Sequence, residues 1–164
     1  MIEIYTKKIS LSDVPFFMGE CEDSAKNGHL HQEILAPKSN KIFEKQIRQI
    51  IQMNDSGQYT GHSILMLLRK SDDRKVGFLW LCVARDLVGR RCTEIRIIHI
   101  TKSMRGRWCG SLLLSIALDE CRTHIVTAKC YPGSGQMSGM LKRRGFDVMG
   151  TSERGSEFLC LELS

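Results

Sequence analysis

One stretch decides the fold of this chain: EIRIIHITKSMRGRWCGSLLLSIALDEC, residues 94–121. Its pattern predicts a buried strand, a short basic turn with two glycines, and a helix that begins at the turn. The first N–H groups of a helix have no partner within it, and they carry the positive end of the helix dipole. Arg105 and Arg107 add mobile positive charge at the same place. The stretch therefore predicts a site for a phosphorylated ligand.

The composition is that of a soluble globular protein, with 42% hydrophobic and 26% charged residues in a chain of 164. A chain of this length is expected to form one domain, residues 1–164, with its own core. No apolar run approaches the roughly 20 residues that span a bilayer, so no membrane partner is expected. The start of the chain, residues 1–13, lacks the layout of a secretory signal, which favours the cytoplasm.

The seven cysteines are scattered and form no CxxC pair. Several lie in apolar, strand-like runs, so we expect buried free thiols in a reducing compartment rather than disulfides or a metal site. The net charge of +6 is compatible with simple solubility or with an anionic partner. Its local concentrations all lie in the second half of the chain, at Arg85–Arg96, Lys102–Arg107 and Lys142–Arg144.

Hydrophobic periodicity and turn residues predict eleven main elements. Ser10 or Ser12 is expected to cap the first helix, which begins near Leu11 and stops at Asn27, and Pro37–Asn40 is expected to break the chain before the second helix. The strands are predicted at 1–9, 62–70, 75–86, 92–101, 125–131 and in two final segments, FDVMGT and EFLCLEL; the later helices are predicted at 108–122 and 133–144.

The resulting order is β-α-α-β-β-β-α-β-α-β-β. The strand–helix–strand crossover at 92–131 implies one parallel pair in a mainly antiparallel sheet. The fold class is therefore α/β, with a mixed, mostly antiparallel, twisted sheet of six or seven strands flanked by four helices.

This order and two motifs resemble the GCN5-related N-acetyltransferase (GNAT) superfamily. The superfamily signature is Q/R-x-x-G-x-G/A at the start of a helix that follows a strand. Arg105 and Gly110 match its first and last positions, while Trp108 stands where the middle glycine is usual. About 40 residues on, MLKRRGFDVMG (140–150) resembles the superfamily segment that ends in Gly-Phe after the last helix. The resemblance covers nearly the whole chain.

The resemblance implies acetyl-coenzyme A as co-substrate. The backbone of the strand end at Ile98, His99 and Ile100 is expected to pair with the pantetheine arm. The turn and helix start are expected to hold the pyrophosphate, and the thioester is expected between this strand and the strand at 125–131. Ser134 is expected to supply a hydroxyl contact at the position where many members carry asparagine. The residues expected around the pyrophosphate are Arg105, Gly106, Arg107, Trp108, Cys109, Gly110 and Ser111.

Glu94 is the first candidate for the base that takes the proton of an acceptor amine. EIRIIHI resembles the strand that carries the catalytic glutamate in the histone-lysine acetyltransferases of this superfamily. The alternative is a solvated glutamate paired with Arg96. His99 is a second candidate base or water relay, and its alternative is a structural histidine. In a regular strand Glu94 and His99 face opposite sides, so both act together only if a bulge intervenes.

The superfamily's usual acid, a tyrosine four residues before the Gly-Phe glycine, is replaced here by Leu141. Tyr131, at the end of the preceding strand, is the candidate acid, and its alternative is a strand-end aromatic. His29, His31 and Glu33 form an HxHxE pattern, which we interpret as a polar loop, and no metal site is expected. Cys109, at a helix start, is interpreted as packing.

The sequence thus predicts an acetyl-CoA-dependent N-acetyltransferase that acts on a primary amine by direct attack on the thioester. Two alternatives stay open: a GNAT toxin that acetylates aminoacyl-tRNA, which would be the only nucleic-acid partner, and a catalytically impaired GNAT-fold protein that binds a ligand or partner. The acceptor amine is not specified, and the oligomeric state is open, with a homodimer among the alternatives.

Overall fold

The computed structural model describes residues 3–163, so the first two residues of the strand expected at 1–9 lie outside the described part. The order of strands and helices is the predicted one, with short 3-10 helices added at Leu11–Asp13, Gln32–Leu35 and Lys102–Met104. The elements are β1 (Ile4–Lys8), α1 (Val14–Lys26), α2 (Pro37–Asp55), β2 (His62–Arg69), β3 (Lys75–Arg85), β4 (Arg91–Ile100), α3 (Cys109–Glu120), β5 (Ile125–Cys130), α4 (Gly135–Arg143), β6 (Asp147–Thr151) and β7 (Glu157–Glu162).

The seven strands follow the order β1-β2-β3-β4-β5-β7-β6, and the pairs β1–β2, β2–β3, β3–β4 and β6–β7 are antiparallel. The α/β class with a mostly antiparallel sheet and four helices is therefore confirmed. The described residues group into two compact units, and the chain passes from one to the other after Ile9, Thr60, Thr127 and Leu161. Each unit is described by itself, and the expectation of one domain over 1–164 stays a prediction.

The first unit holds β1 to β4, α3 and the start of β5. Strand β3 runs between β2 and β4 and is buried over most of its length, as its near-continuous apolar sequence predicts. Helix α3 lies on β3 and β4. The side chains that are fully buried here include Met66, Leu67, Val76, Phe78, Leu79, Leu113 and Leu114.

The second unit holds α1, α2, α4, β6, most of β7 and the end of β5. Helix α1 packs on α2, with the rings of Phe17 and Phe43 stacked at 6.1 Å. Helix α4 ends at Arg143 and is followed by Gly145, whose φ of +95° is the left-handed conformation that glycine adopts without strain. The Phe146 N–H then donates to the Leu141 carbonyl, and the Phe146 ring is buried.

The start of α2 corrects one expectation, and the start of the first helix, with Ser10 as its N-cap, confirms another. Pro37 begins α2 instead of breaking the chain, because proline fits the first helical position, where its missing N–H costs nothing. The first helix starts as the 3-10 helix Leu11–Asp13, where the Asp13 carboxylate accepts hydrogen bonds from the Ser10 N–H (2.8 Å) and hydroxyl (2.9 Å). Among residues 3–163 no helix is both long and apolar enough to cross a membrane.

The residue type at Gly77 is expected to be essential for the first unit. A Cβ at this position would clash with the His99 carbonyl oxygen on β4. We expect Gly77→Ala to lower the free energy of unfolding by about 1–3 kcal/mol, measured by urea denaturation, because neither backbone can move without disturbing the sheet. The matched control is Gly19→Ala in α1, where nothing lies within 4 Å of the added Cβ, and a gain of about 0.5–1 kcal/mol is expected. Equal effects at both positions would contradict the steric argument.

Candidate functional site

The turn that precedes α3 has an unusual backbone. Trp108, the residue immediately before the helix, has φ 68° and ψ 0°, which is the left-handed conformation. Gly106, two residues earlier, has φ +76°. A left-handed backbone suits glycine and costs other residues roughly 1–2 kcal/mol. The backbone conformation at Trp108 therefore lowers the stability of the folded chain, and it sets the orientation of the start of α3.

The start of α3 directs backbone donors away from the helix. The first helical hydrogen bond runs from the Leu112 N–H to the Trp108 carbonyl at 3.0 Å. The N–H groups of Cys109 and Gly110 precede this bond and have no acceptor within the helix. Ser111 lies in the same turn and is half-buried, and its carbonyl accepts from the Ser115 hydroxyl. This geometry, with the helix dipole behind it, fits an anionic group such as a pyrophosphate.

The two arginines of the turn are exposed but not equivalent. Arg105 is anchored, because its Nε donates to the Ile100 carbonyl at the end of β4 at 3.2 Å. The sequence had suggested that both side chains supply mobile charge, and for Arg105 the structure differs. Its guanidinium joins the strand end to the turn and brings a fixed positive charge to the strand end expected to hold the pantetheine arm.

Trp108 is the most exposed large hydrophobic side chain of the described residues, at 86%. An indole in water contributes little packing to offset its strained backbone. Cys109 beside it is buried, and burial raises the pKa of its thiol although Arg107 acts in the opposite direction. A buried thiol with a raised pKa is a poor nucleophile, which agrees with the packing role predicted for Cys109.

Strand β4 contains a bulge that changes which side chains share a face. In the pairing with β3, Ile97 lies opposite Trp80 and Ile95 opposite Leu81, so Arg96 is an extra residue. Glu94 therefore pairs with Cys82 and His99 with Phe78, two positions an even number of residues apart on β3. Glu94 and His99 consequently lie on the same face of the sheet, which is the exception that the sequence left open.

Glu94 belongs to a chain of side chains on this face. The Arg96 Nε lies 3.8 Å from a Glu94 carboxylate oxygen, and the Arg96 guanidinium lies over the Trp80 ring at 4.5 Å from its centroid. The Trp80 indole N–H donates to His62 Nδ1 at 3.1 Å. The Glu94–Arg96 pair was the structural alternative to a catalytic Glu94, and it is present. An ion pair of half-exposed groups leaves the carboxylate accessible as a base.

His62, which the sequence analysis did not single out, has its tautomer fixed by this arrangement. The indole N–H can only donate, so Nδ1 carries the lone pair and the proton of the neutral ring is on Nε2. Nε2 lies 3.8 Å from the Cys82 sulfur. Burial, and secondarily the charge of Arg96, lowers the pKa of His62.

His99 is buried, and its ring stacks on Phe78 at 4.9 Å. This contact agrees with a structural histidine, and its role as a base stays a prediction. The backbone of the expected pantetheine strand, Ile98 to Ile100, pairs with Leu79, Phe78 and Gly77 of β3 on one side. The close approach at Gly77 described above fixes the position of this strand end.

In the second unit, the turn after β5 carries the candidate residues Tyr131 and Ser134. His29 Nδ1 lies 3.3 Å from the Ser134 hydroxyl, and the His31 ring meets the Tyr131 ring edge-on at 6.4 Å. The Lys129 ammonium lies 5.0 Å from the centre of the Tyr131 ring. The HxHxE loop was expected to be only polar, so its contacts with both candidates are new.

Two glycines explain why these loops meet. A Cβ on Gly133 would lie 2.8 Å from the Gly28 carbonyl oxygen, so only glycine permits this approach. The sequence predicted that the first helix stops at Asn27, but it placed Gly133 inside the helix expected at 133–144, whereas Gly133 precedes α4. No single-chain pattern pairs two turns about 100 residues apart. Within residues 3–163 no three His, Cys, Asp or Glu side chains are grouped as metal ligands would be.

Comparison of the sequence with protein-family models and with curated proteins finds no match. The structure, by contrast, is similar to many solved structures. It matches PaiA N-acetyltransferase from Thermoplasma acidophilum in complex with coenzyme A with a TM-score of 0.74 at 13% identity, over 98% of this chain and 99% of that one. This chain has the GNAT fold.

Two further GNAT-fold matches cover chains with different acceptors. Ribosomal-protein-alanine N-acetyltransferase from Brucella melitensis matches with a TM-score of 0.74 at 18% identity, over 97% of this chain and 99% of that one. Spermidine N-acetyltransferase from Vibrio cholerae, in complex with coenzyme A and spermine, matches with a TM-score of 0.69 at 12% identity, over 97% and 95%. These identities are low, so they support the fold and leave the acceptor open.

The GNAT resemblance also explains the backbone at Trp108. The middle glycine of the signature falls at this position, and the structure has the left-handed conformation that glycine adopts readily. The superfamily's tyrosine position, Leu141, is buried in α4 and supplies no acid. At position 108 this chain therefore differs from the signature in its side chain and in the strain that a non-glycine residue causes there. The backbone of the turn keeps the conformation that a glycine would adopt.

Replacing Trp108 tests the strain directly. We expect Trp108→Gly to be more stable than Trp108→Ala by about 1 kcal/mol in urea unfolding, because both lose the indole but only glycine relieves the left-handed strain. A Trp108→Ala variant as stable as Trp108→Gly would show that the turn is not strained at this residue.

His62 is expected to make the protein less stable in acid. Its pKa is lowered in the folded state, so the unfolded chain, with a histidine pKa near 6.5, takes up the proton first as the pH falls. The contribution of His62 is complete above that pH and is lost as the pH falls through the folded-state pKa. Urea unfolding between about pH 5 and about pH 7.5 should show a smaller pH dependence for His62→Asn than for the native chain. Identical pH dependences would refute this assignment.

Proposed function

We propose that this protein is an acetyl-CoA-dependent N-acetyltransferase whose acceptor is a primary amine. The observation that carries the proposal is the left-handed turn at Arg105–Gly110, which opens α3 directly after β4 in a chain with the GNAT fold. Coenzyme A is present in the similar enzymes from Thermoplasma acidophilum and Vibrio cholerae, which supports it as the ligand. The seven free thiols suit a reducing compartment such as the cytoplasm.

The residues of the first unit fit this ligand. The N–H groups at the start of α3 would bind the pyrophosphate, with Arg107 exposed beside them. The strand-end backbone at Ile98–Ile100 would pair with the pantetheine arm, where the carbonyl of Ile100 already accepts from Arg105. The bound co-substrate supplies an acetyl thioester, which is activated for attack by an amine.

Glu94 would act as the base. Its carboxylate accepts a proton from the acceptor ammonium, and the freed nitrogen forms a bond to the acetyl carbon. The carbon–sulfur bond breaks, the thiolate leaves with the electron pair and takes up a proton, and the nitrogen of the new amide loses its second proton to water. We assign the thiolate's proton to water, since a thiolate needs little help to leave, and the role of Tyr131 as the acid stays a prediction. His29 and Ser134, which lie beside Tyr131 in the second unit, would order the polar groups there.

The proposal is tested by ligand binding and by the rate of thiol release. Saturating acetyl-CoA should raise the melting temperature, because a ligand that binds only the native state stabilises it. Glu94→Gln should retain this shift and lose about 10²–10⁴-fold in the rate of acetyl transfer to a panel of amines, since general base catalysis contributes about that much. Glu120→Gln, at the far end of α3, is the matched control and should retain the rate.

Each failure has its own meaning. Absence of a melting shift at saturating acetyl-CoA would refute the acetyltransferase. A shift without thiol release across the amine panel would favour a GNAT-fold binding protein. Release only with aminoacyl-tRNA would favour the toxin function. An unchanged rate in Glu94→Gln would eliminate Glu94 as the base and leave His99 as the candidate.

A further inference from the structure

The guanidinium of Arg96 and the carboxylate of Glu94 lie side by side on one face of β4, 3.8 Å apart. We propose that this pair recognises an acceptor that carries a carboxylate next to its amine, such as a free α-amino acid. This inference rests on the proposed acetyltransferase function and names the substrate class of the same site.

The bulge is what creates the pair. Arg96 is the unpaired extra residue of β4, and its guanidinium lies over Trp80, the β3 residue that pairs with Ile97. In a bulge two successive residues oppose one on the partner strand, so the extra side chain is redirected instead of alternating with its neighbours. The base and a cation thus lie on one surface, 3.8 Å apart.

The cation is held in position from below. Trp80 is only 1% exposed, and its N–H is bound to His62, so its ring is a rigid support for the guanidinium. An arginine stacked on an aromatic face keeps its N–H edges available for a planar carboxylate. The indole face attracts the cation without neutralising it, since the attraction comes from the ring quadrupole.

The ion pair between Arg96 and Glu94 can also be replaced by contacts with a ligand. The side chains of Arg96 and Glu94 are 37% and 38% exposed, so both can be reached from solvent. Their separation of 3.8 Å exceeds the roughly 2.7–2.9 Å of a charge-assisted hydrogen bond, and ion pairs this exposed contribute little to stability. A ligand carboxylate can therefore replace Glu94 beside Arg96, while the ligand ammonium takes the place of Arg96 beside Glu94.

Such an exchange matches the reaction. The ammonium of the amino acid donates its proton to Glu94, and its nitrogen is then next to the base and ready for acyl transfer. The amine and carboxylate of an α-amino acid are separated by about the length of one charge-assisted contact, which is similar to the spacing of the two side chains. A polyamine would instead place a second positive charge near Arg96, which is unfavourable.

The test uses acceptors that differ only in the carboxylate: L-phenylalanine and 2-phenylethylamine, with 1,4-diaminobutane as the dication. Thiol release from acetyl-CoA gives kcat/KM for each. We expect the amino acid to exceed the amine at least about tenfold, since a hydrogen bond to a charged group is worth that or more. Arg96→Met should collapse this ratio toward one. The ratio between native chain and variant cancels the difference in amine basicity.

Two further variants keep the result interpretable. Arg96→Lys retains the charge but loses the planar fork, so an intermediate ratio is expected. Arg91→Met, on the same strand and exposed, is the matched control and should keep the native ratio. Acetyl-CoA melting shifts of the variants report on folding and on co-substrate binding.

The outcomes separate this inference from the proposed function. Without a melting shift and without transfer to any acceptor, the proposed function itself fails. Transfer in which Arg96→Met leaves the amino-acid preference unchanged overturns the inference alone. A native preference for 2-phenylethylamine or 1,4-diaminobutane overturns it as well.

Discussion

The extra residue at Arg96 is the constraint on which the candidate site depends. Side chains alternate along a strand, so without the bulge Glu94 and His99 would lie on opposite faces of the sheet. With the bulge, the residues of β4 from Arg91 to Ile95 are shifted by one position in their pairing with β3. The same shift brings a guanidinium beside the predicted base and over a buried indole. The sheet therefore determines the chemistry of this surface through its register as much as through its residue types.

A second constraint acts at the other end of β4. Gly77 allows β3 to approach the His99 carbonyl closely, and Arg105 ties the Ile100 carbonyl to the following turn. The strand end and the helix start are thus connected by side-chain and backbone contacts within one unit. The turn between them contains two residues with a left-handed backbone conformation. One of them is Trp108, whose side chain contributes little to packing. Strain of this kind persists only where the surrounding structure over-determines it, and it is typical of functional sites.

The element order was predictable from the sequence because long periodic segments such as the run in β3 leave few alternatives. The position of the turn before α3 was predictable because glycines and a helix start are local signals. The predicted start of α2 was wrong because a proline can either interrupt a segment or occupy the first position of a helix. Composition does not distinguish these two roles of Pro37. The bulge at Arg96 was not predictable, since one unpaired residue in an apolar strand leaves the pattern almost unchanged. The contact of His29 with Ser134 depends on the meeting of two distant glycine turns, which no periodicity encodes.

The two tryptophans of the chain lie in opposite surroundings. Trp80 is 1% exposed and donates a hydrogen bond to a histidine, while Trp108 is 86% exposed and precedes a helix flanked by arginines. Both indoles belong to the first unit, one beneath the Arg96 guanidinium and one at the predicted co-substrate turn. Their fluorescence therefore separates into a shielded component and a component open to an aqueous quencher. The protein thus carries two intrinsic optical reporters, one in β3 and one at the turn before α3, and neither needs an attached label.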